Sequence, residues 1–491
     1  MSPMAAASFD ASGYRVNPPC PFSESESTMS STLASYREVR DANGRIYRVG
    51  ESDRDLLGRS RASMVWLPWI AMMAVSVFEY GYGAAADTLR HAHGWSLSQT
   101  FWLLSSWAVF QAAVAYPAGR LREKGITSAR SIMLAAAVLS AAGFVTVAHS
   151  SNLIVAFLGF AVCGGCGVGL VYSTGITIVG KWYPERRGAK TGFVCGGFAY
   201  GAVPFIFIFS YALHPNTYVW VLDLVGAFML VVLVICGAYF QDPPKNWWPA
   251  DVDPLQYAAA SSNARSLKKN PPAVRQYGPM EAIRTGMLPL MWLSLGITSG
   301  VSLFGISYMV PFAKHLGFGA LIVASSAGVL SIISGVGRTA TGFVSDRISR
   351  KQTLLIVLLV SVVALIGLLY TGLAKNQIAF IFFAVLVGFG AGAFYPLFAT
   401  LTTDYFGENN NASNYGIVFS AKLVGSIMGI GVGASVIDAW GYTGAYWLAA
   451  VSALVSAGTA ALLRQPGRRA KDVVILQAVD QATPSAPSAA S

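Results

Sequence analysis

Charge is what this chain has least of. Of its 491 residues only 12% are Asp, Glu, Lys or Arg, where a soluble domain carries about a quarter. Cysteine is scarce too, at five residues, and four of them lie in apolar runs. Cys163-Gly-Gly-Cys166 has CxxC spacing but no second pair and no nearby His, so it reads as two small residues packing a helix rather than a redox or metal site. The five histidines, His91, His93, His149, His214 and His315, fall at turns expected on one side, which excludes a metal cluster or a proton relay. No nucleophile–base pair occurs at membrane depth, which argues against an enzyme. Glycine runs such as GGCGVG lack the strand a dinucleotide fold needs, so no cofactor is expected. The first 60 or so residues contain no apolar h-region and read as a cytoplasmic tail rather than a secretory signal.

Apolar sequence fills the space that charge leaves. Hydrophobic residues make up 54% and mean hydropathy is +0.53. Runs of about 20 apolar residues recur with Gly, Pro and charge at their borders, each long enough to cross a bilayer as a helix. The spans read as 64–86, 97–118, 129–148, 152–180, 189–211 and 216–240, then 287–313, 319–344, 352–373, 377–403, 413–437 and 441–464. The expected architecture is an all-α polytopic membrane protein with twelve transmembrane helices. Its parts are a largely disordered N-tail (1–61), a six-helix bundle (62–241), a cytoplasmic inter-bundle loop (242–286), a second six-helix bundle (287–464) and a disordered C-tail (465–491). Within the N-tail, Tyr36–Ser52 is the stretch able to dock as a short element.

Of the 34 Lys and Arg, 29 fall in the tails and the loops on one side, three (Arg90, Lys314, Lys375) on the other, and two inside spans. This asymmetry places both termini in the cytoplasm and the chain in a cell (inner) membrane. It also accounts for the net charge of +11 without a nucleic-acid partner. The lipid bilayer is the expected partner, and the chain is expected to be a monomer.

The two halves repeat at an offset of 223 residues, which carries Gly119 onto Gly342 and Gly167, Gly169 and Tyr172 onto Gly390, Gly392 and Tyr395. Two six-helix halves related by a pseudo-twofold place a substrate site near the midplane between them.

The two cations inside spans are Arg338 and Lys422. At ~1.5 Å per residue, Arg338 lies roughly 12 Å and Lys422 roughly 14 Å from the side that holds the Lys and Arg excess. A cation at that depth costs at least ~2.5 kcal/mol and is expected to face water or an anion. With no acid in their own spans, the pair is expected to bind a small carboxylate, Arg338 by a planar two-point grip and Lys422 as a point charge. The alternative for Lys422 is snorkelling or structural pairing with a carboxylate. Tyr172 and Tyr395, one per half, are candidates to close over the ligand with their hydroxyls; ordinary helix packing is the alternative. Glu79 lies past the midplane of the first span, either in the cavity, neutralising a cation or taking up a proton, or against another helix as a structural acid. The basic-side loops that contain Gly119, Arg120, Gly342, Asp346 and Arg347 read as gates that clasp helix ends in one conformation and release them in the other.

GFVSDRISRK (342–351) and its weaker twin GRLREKG (119–125) resemble the signature loops of the major facilitator superfamily. GVGLVYSTGITIVGKWYPERRGAKTGF (167–193), SGVGRTATGFVSDR (334–347), ASNYGIVFSAKLVGSIMG (412–429) and PPKNWWP (243–249) are similar to stretches of the oxalate:formate antiporter family across all twelve spans. The resemblance implies the major facilitator fold, with Arg338 and Lys422 matching the family's dicarboxylate-binding Arg and Lys. Tyr172, Tyr395 and Tyr80 match aromatic residues that cage the substrate. Four departures stand out: Ala391 and Phe419 where family members carry Trp, Phe198 for a cage Tyr, and Glu79 for a neutral amide. These imply a roomier, less positive pocket. The function expected is alternating-access exchange of small organic anions. Alternatives are a proton-coupled monocarboxylate symporter and, further off, a non-transporting sensor that signals through its N-tail.

Overall fold

The computed structural model describes residues 36–40, 46–259 and 266–467. The outer parts of the expected tails, 1–35 with Cys20 and 468–491, lie outside the described residues.

Twelve apolar spans follow one another as helices. Among the described residues ten helices are long and apolar enough to cross a membrane. The second and eighth spans are the helices Leu97–Ala113, continued by Ala115–Glu123, and Ala320–Arg347. Polar caps set several starts: Ser96 accepts from Gln99 N at the second span, and Asn376 accepts from Ala379 N at the tenth, Gln377–Phe406. Three spans contain π turns, which place one extra residue in a turn and recur at functional positions. They are Val77–Gly81 in the first span, Phe157–Gly164 in the fourth and Ile427–Val432 in the eleventh. The twelfth span leaves the eleventh at Gly441, where φ is 66°.

The halves meet along two equivalent seams, where small residues let backbones touch. The second span packs on the eleventh, and the fifth (Arg187–Tyr200) on the eighth. A Cβ on Gly119 would sit 2.4 Å from the Ala412 carbonyl oxygen, and one on its repeat equivalent Gly342 would sit 2.3 Å from that of Gly188. No residue larger than glycine fits either place with the face closed.

The stretch of the N-tail expected to be able to dock, Tyr36–Ser52, holds a short hairpin among the described residues. Strands β1 (Arg37–Arg40) and β2 (Ile46–Val49) pair antiparallel. β2 alternates half-buried and buried residues, and Tyr47 meets Trp248 edge-on at 5.1 Å. Arg48 exchanges backbone bonds with the start of the inter-bundle loop, donating from N to Asn246 O and accepting from Trp248 N. Alternation with an aromatic partner is what lets so short a strand bury a face.

Candidate functional site

The first, second, fourth, fifth, eighth, tenth and eleventh spans each send a side chain to one buried cluster at mid-depth. Arg338 is 1% exposed. Its guanidinium donates from Nη2 to the Tyr80 hydroxyl at 2.8 Å and from Nη1 to the Cys195 carbonyl at 3.2 Å. It lies 5.1 Å from the Tyr395 ring centroid and 5.8 Å from that of Phe198. Nε has no partner, and among the described residues no carboxylate pairs with Arg338. The charge is thus held by neutral acceptors and ring faces alone, which offset only part of its lost hydration.

Lys422 differs, and here the expectation that both cations await an anion is corrected. Its Nζ donates to Glu79 Oε2 at 2.6 Å and to Gln111 Oε1 at 2.7 Å. The acid comes from the first span, where the π turn carries Glu79 and Tyr80 together into the centre. A search confined to the cation's own span could not find it. Glu79 thus reaches the centre and pairs with one cation.

The aromatic residues expected as a cage gather around these charges. Tyr172 stacks on Phe419 with centroids 4.8 Å apart and meets Tyr395 at 6.3 Å and 76°. Its hydroxyl lies 3.2 Å from Cys195 Sγ. The Tyr80 hydroxyl is shared by Arg338 and Ser334. The Tyr395 hydroxyl is buried without a partner, and its ring serves both cations, Lys422 Nζ lying 5.7 Å from the centroid.

On the face with the Lys and Arg excess, the gate residues divide. Asp346 accepts from the backbone N–H of Gly188 and Ala189 at 3.1 and 2.8 Å, capping the start of the fifth span from the other half. Glu123 stands at the equivalent position, 223 residues earlier. It accepts from Ser413 N at 3.1 Å and from the Ser413 hydroxyl, capping the eleventh. Arg347 lies exposed over the Phe343 ring at 4.1 Å. Arg120 forms no ion pair or side-chain hydrogen bond among the described residues. The arginine that bridges the halves, Arg187, is one the sequence did not single out, and Arg350 braces its partner Asp404 from within the second half. Arg187 reaches Asp404 at 3.1 Å and also Glu408, and Arg350 reaches Asp404 at 2.9 Å and Asp346 at 3.1 Å. The offset of 223 between Glu123 and Asp346 was a readable signal; nothing in the sequence singled out Arg187, which sits among solvated-looking border charges. Beside them, burial alone would raise the Asp242 carboxyl, but Arg122 and Lys181 at 3.1 Å hold it below its ordinary value.

Two six-span halves, joined along equivalent seams and capped by equivalent acids, fit one family, and its profile matches. The sequence profile of the Major Facilitator Superfamily covers residues 68–429 and, overlapping, 373–486. The chain belongs to the Major Facilitator Superfamily. It is a multi-pass membrane transporter of that superfamily. This facilitator is 25% identical over 416 residues to the oxalate:formate antiporter of Oxalobacter formigenes, an alignment covering 84% of the chain and 94% of that protein. It is 24% identical to monocarboxylate transporter 12 of Mus musculus over 73% of the chain and 76% of that protein. Among solved structures, the human organic anion transporter MFSD10 superposes with a TM-score of 0.60 at 16% identity, over 82% of this facilitator and all of that chain. That likeness concerns the fold.

Proposed function

We propose that the protein carries a small carboxylate across the membrane by alternating access, in exchange for another anion. The observation that carries this reading is Arg338, a guanidinium at mid-depth with no acidic partner among the described residues and an unpartnered Nε. A carboxylate is the group whose two oxygens meet such a fork. Tyr395, whose ring lies 5.1 Å from the guanidinium and whose hydroxyl is unpartnered, offers the second donor. Lys422, Tyr80 and Tyr172 shape the remainder of the site, while Asp346 and Glu123 hold the basic face shut during outward exposure. The likeness to an oxalate:formate antiporter supports the reading.

A second reading, proton-coupled uptake of a monocarboxylate, is supported by the buried acid Glu79 and the likeness to monocarboxylate transporter 12. Transport into proteoliposomes under an imposed pH gradient separates the two: symport needs only the gradient, exchange needs internal anion.

The experiment that tests the shared core is binding of formate, acetate, lactate, oxalate, malonate and succinate to purified protein. Losing a charge-assisted bidentate grip costs about 2–3 kcal/mol, so Arg338→Gln is expected to weaken the best ligand roughly 30- to 150-fold. Arg338→Lys is expected to recover only part. Unchanged affinity in Arg338→Gln would overturn the proposal.

A further inference from the structure

We propose that Glu79 is a resident carboxylate which occupies the second cation and makes the site select monocarboxylates over dicarboxylates. This rests on the carboxylate reading above and names its substrate class. Glu79 Oε2 sits 2.6 Å from Lys422 Nζ and so takes up the second cation, which flanks the same Tyr395 ring as Arg338 and is the charge a second carboxylate would seek. Gln111 Oε1 takes a further N–H of the ammonium at 2.7 Å. Lys422 is 2% and Glu79 6% exposed, so neither charge has bulk water to share.

Charge balance then decides the ligand. Arg338, Lys422 and Glu79 together leave the cluster one positive charge. A monoanion brings it to zero, whereas a dianion leaves one uncompensated negative charge in a buried site and sets two carboxylates against a single ammonium. An unpaired buried charge is among the most expensive arrangements a protein interior can hold, so it works as rejection rather than as weaker attraction. The aromatic wall of Tyr172, Phe419 and Phe198 adds no positive group that could compensate.

The experiment measures the ratio of dicarboxylate to monocarboxylate affinity with oxalate, malonate and succinate against formate, acetate and lactate. Purified wild type, Glu79→Gln and the double variant Glu79→Gln/Lys422→Gln are compared, with thermal melts to establish folding. Wild type is expected to prefer the monocarboxylates. Glu79→Gln, with a net charge of two, is expected to move the ratio at least tenfold towards the dicarboxylates. The double variant, again at one positive charge, is expected to return to within about threefold of the wild-type ratio, which a merely structural brace would not produce. A ratio in Glu79→Gln within threefold of wild type overturns the proposal. So does a wild type that binds dicarboxylates tighter, a result that needs no variant. If Glu79→Gln does not fold, the double variant decides: a dicarboxylate preference there overturns the charge argument, and a monocarboxylate preference upholds it. Binding of neither class to wild type would instead remove the carboxylate reading itself.

Discussion

At the scale of single residues, the Tyr395 hydroxyl separates a binding role from a packing role. It is buried and without a partner, an arrangement that costs roughly 1–3 kcal/mol unless something supplies an acceptor. If that acceptor is the substrate, Tyr395→Phe removes an unsatisfied group from the empty protein and a satisfied one from the complex. The expected outcome is a ligand affinity about tenfold weaker, with the melting temperature of the empty protein unchanged or slightly higher. Equal affinity, or a clear drop in the empty protein's melting temperature, would make the tyrosine a packing residue. Arg338, Lys422 and Glu79 were each legible in the sequence because a charge inside an apolar run has no bland explanation. That Lys422 answers to Glu79 was not legible, since the two are 343 residues apart and their meeting depends on how the first and eleventh spans rotate. The π turn Val77–Gly81 sets that rotation for the first span, and periodicity does not reveal it.

At the scale of elements, the twin caps tie the two halves together at the basic face. A carboxylate on the N–H groups at a helix start satisfies orphan donors and meets the positive end of the helix dipole, an interaction worth about 0.5–2 kcal/mol. Each cap here joins the halves, so its loss weakens the closed face and leaves each half intact. Asp346→Ala and Glu123→Ala are each expected to shift the open-to-closed ratio of that face by about 2- to 30-fold. A thiol probe on a cysteine placed at Ala189 or Ala412 reads the shift as faster labelling, and unchanged labelling in both variants would deny the caps a gating role. The repeat at 223 residues made these loops visible as equivalents. Arg187, which bridges the halves, stayed hidden because a border Arg that is solvated and one that is 6% exposed, as Arg187 is, look alike in sequence. The hairpin of β1 and β2 was visible only as a stretch able to dock, since its stability comes from Trp247 and Trp248, two hundred residues on.

At the scale of the whole molecule, the question is what the empty carrier does. In the arrangement described, Arg338 is buried with a hydroxyl and a backbone carbonyl as its acceptors, while Lys422 already has its acid. Alternating access requires the halves to rock past this closed centre, and a substrate-free passage keeps the guanidinium dry and uncompensated throughout. An Arg at bilayer depth costs at least ~2.5 kcal/mol, and neutral acceptors offset only part of it. On the proposed reading, a bound monocarboxylate would cancel that charge during the passage and leave once the site reopens to water. If the full ~2.5 kcal/mol stands in the barrier, the loaded carrier reorients about 70-fold faster than the empty one. Labelled acetate uptake without a pH gradient is therefore expected to run one to two orders of magnitude faster into proteoliposomes preloaded with acetate than into empty ones. Arg338→Gln removes the charge that penalises the empty passage, so in that variant any residual uptake should lose its dependence on internal anion. Uptake into empty wild-type vesicles within about threefold of the preloaded rate would mean that Tyr80 and Cys195 compensate Arg338 fully, and the physical basis for exchange would be gone.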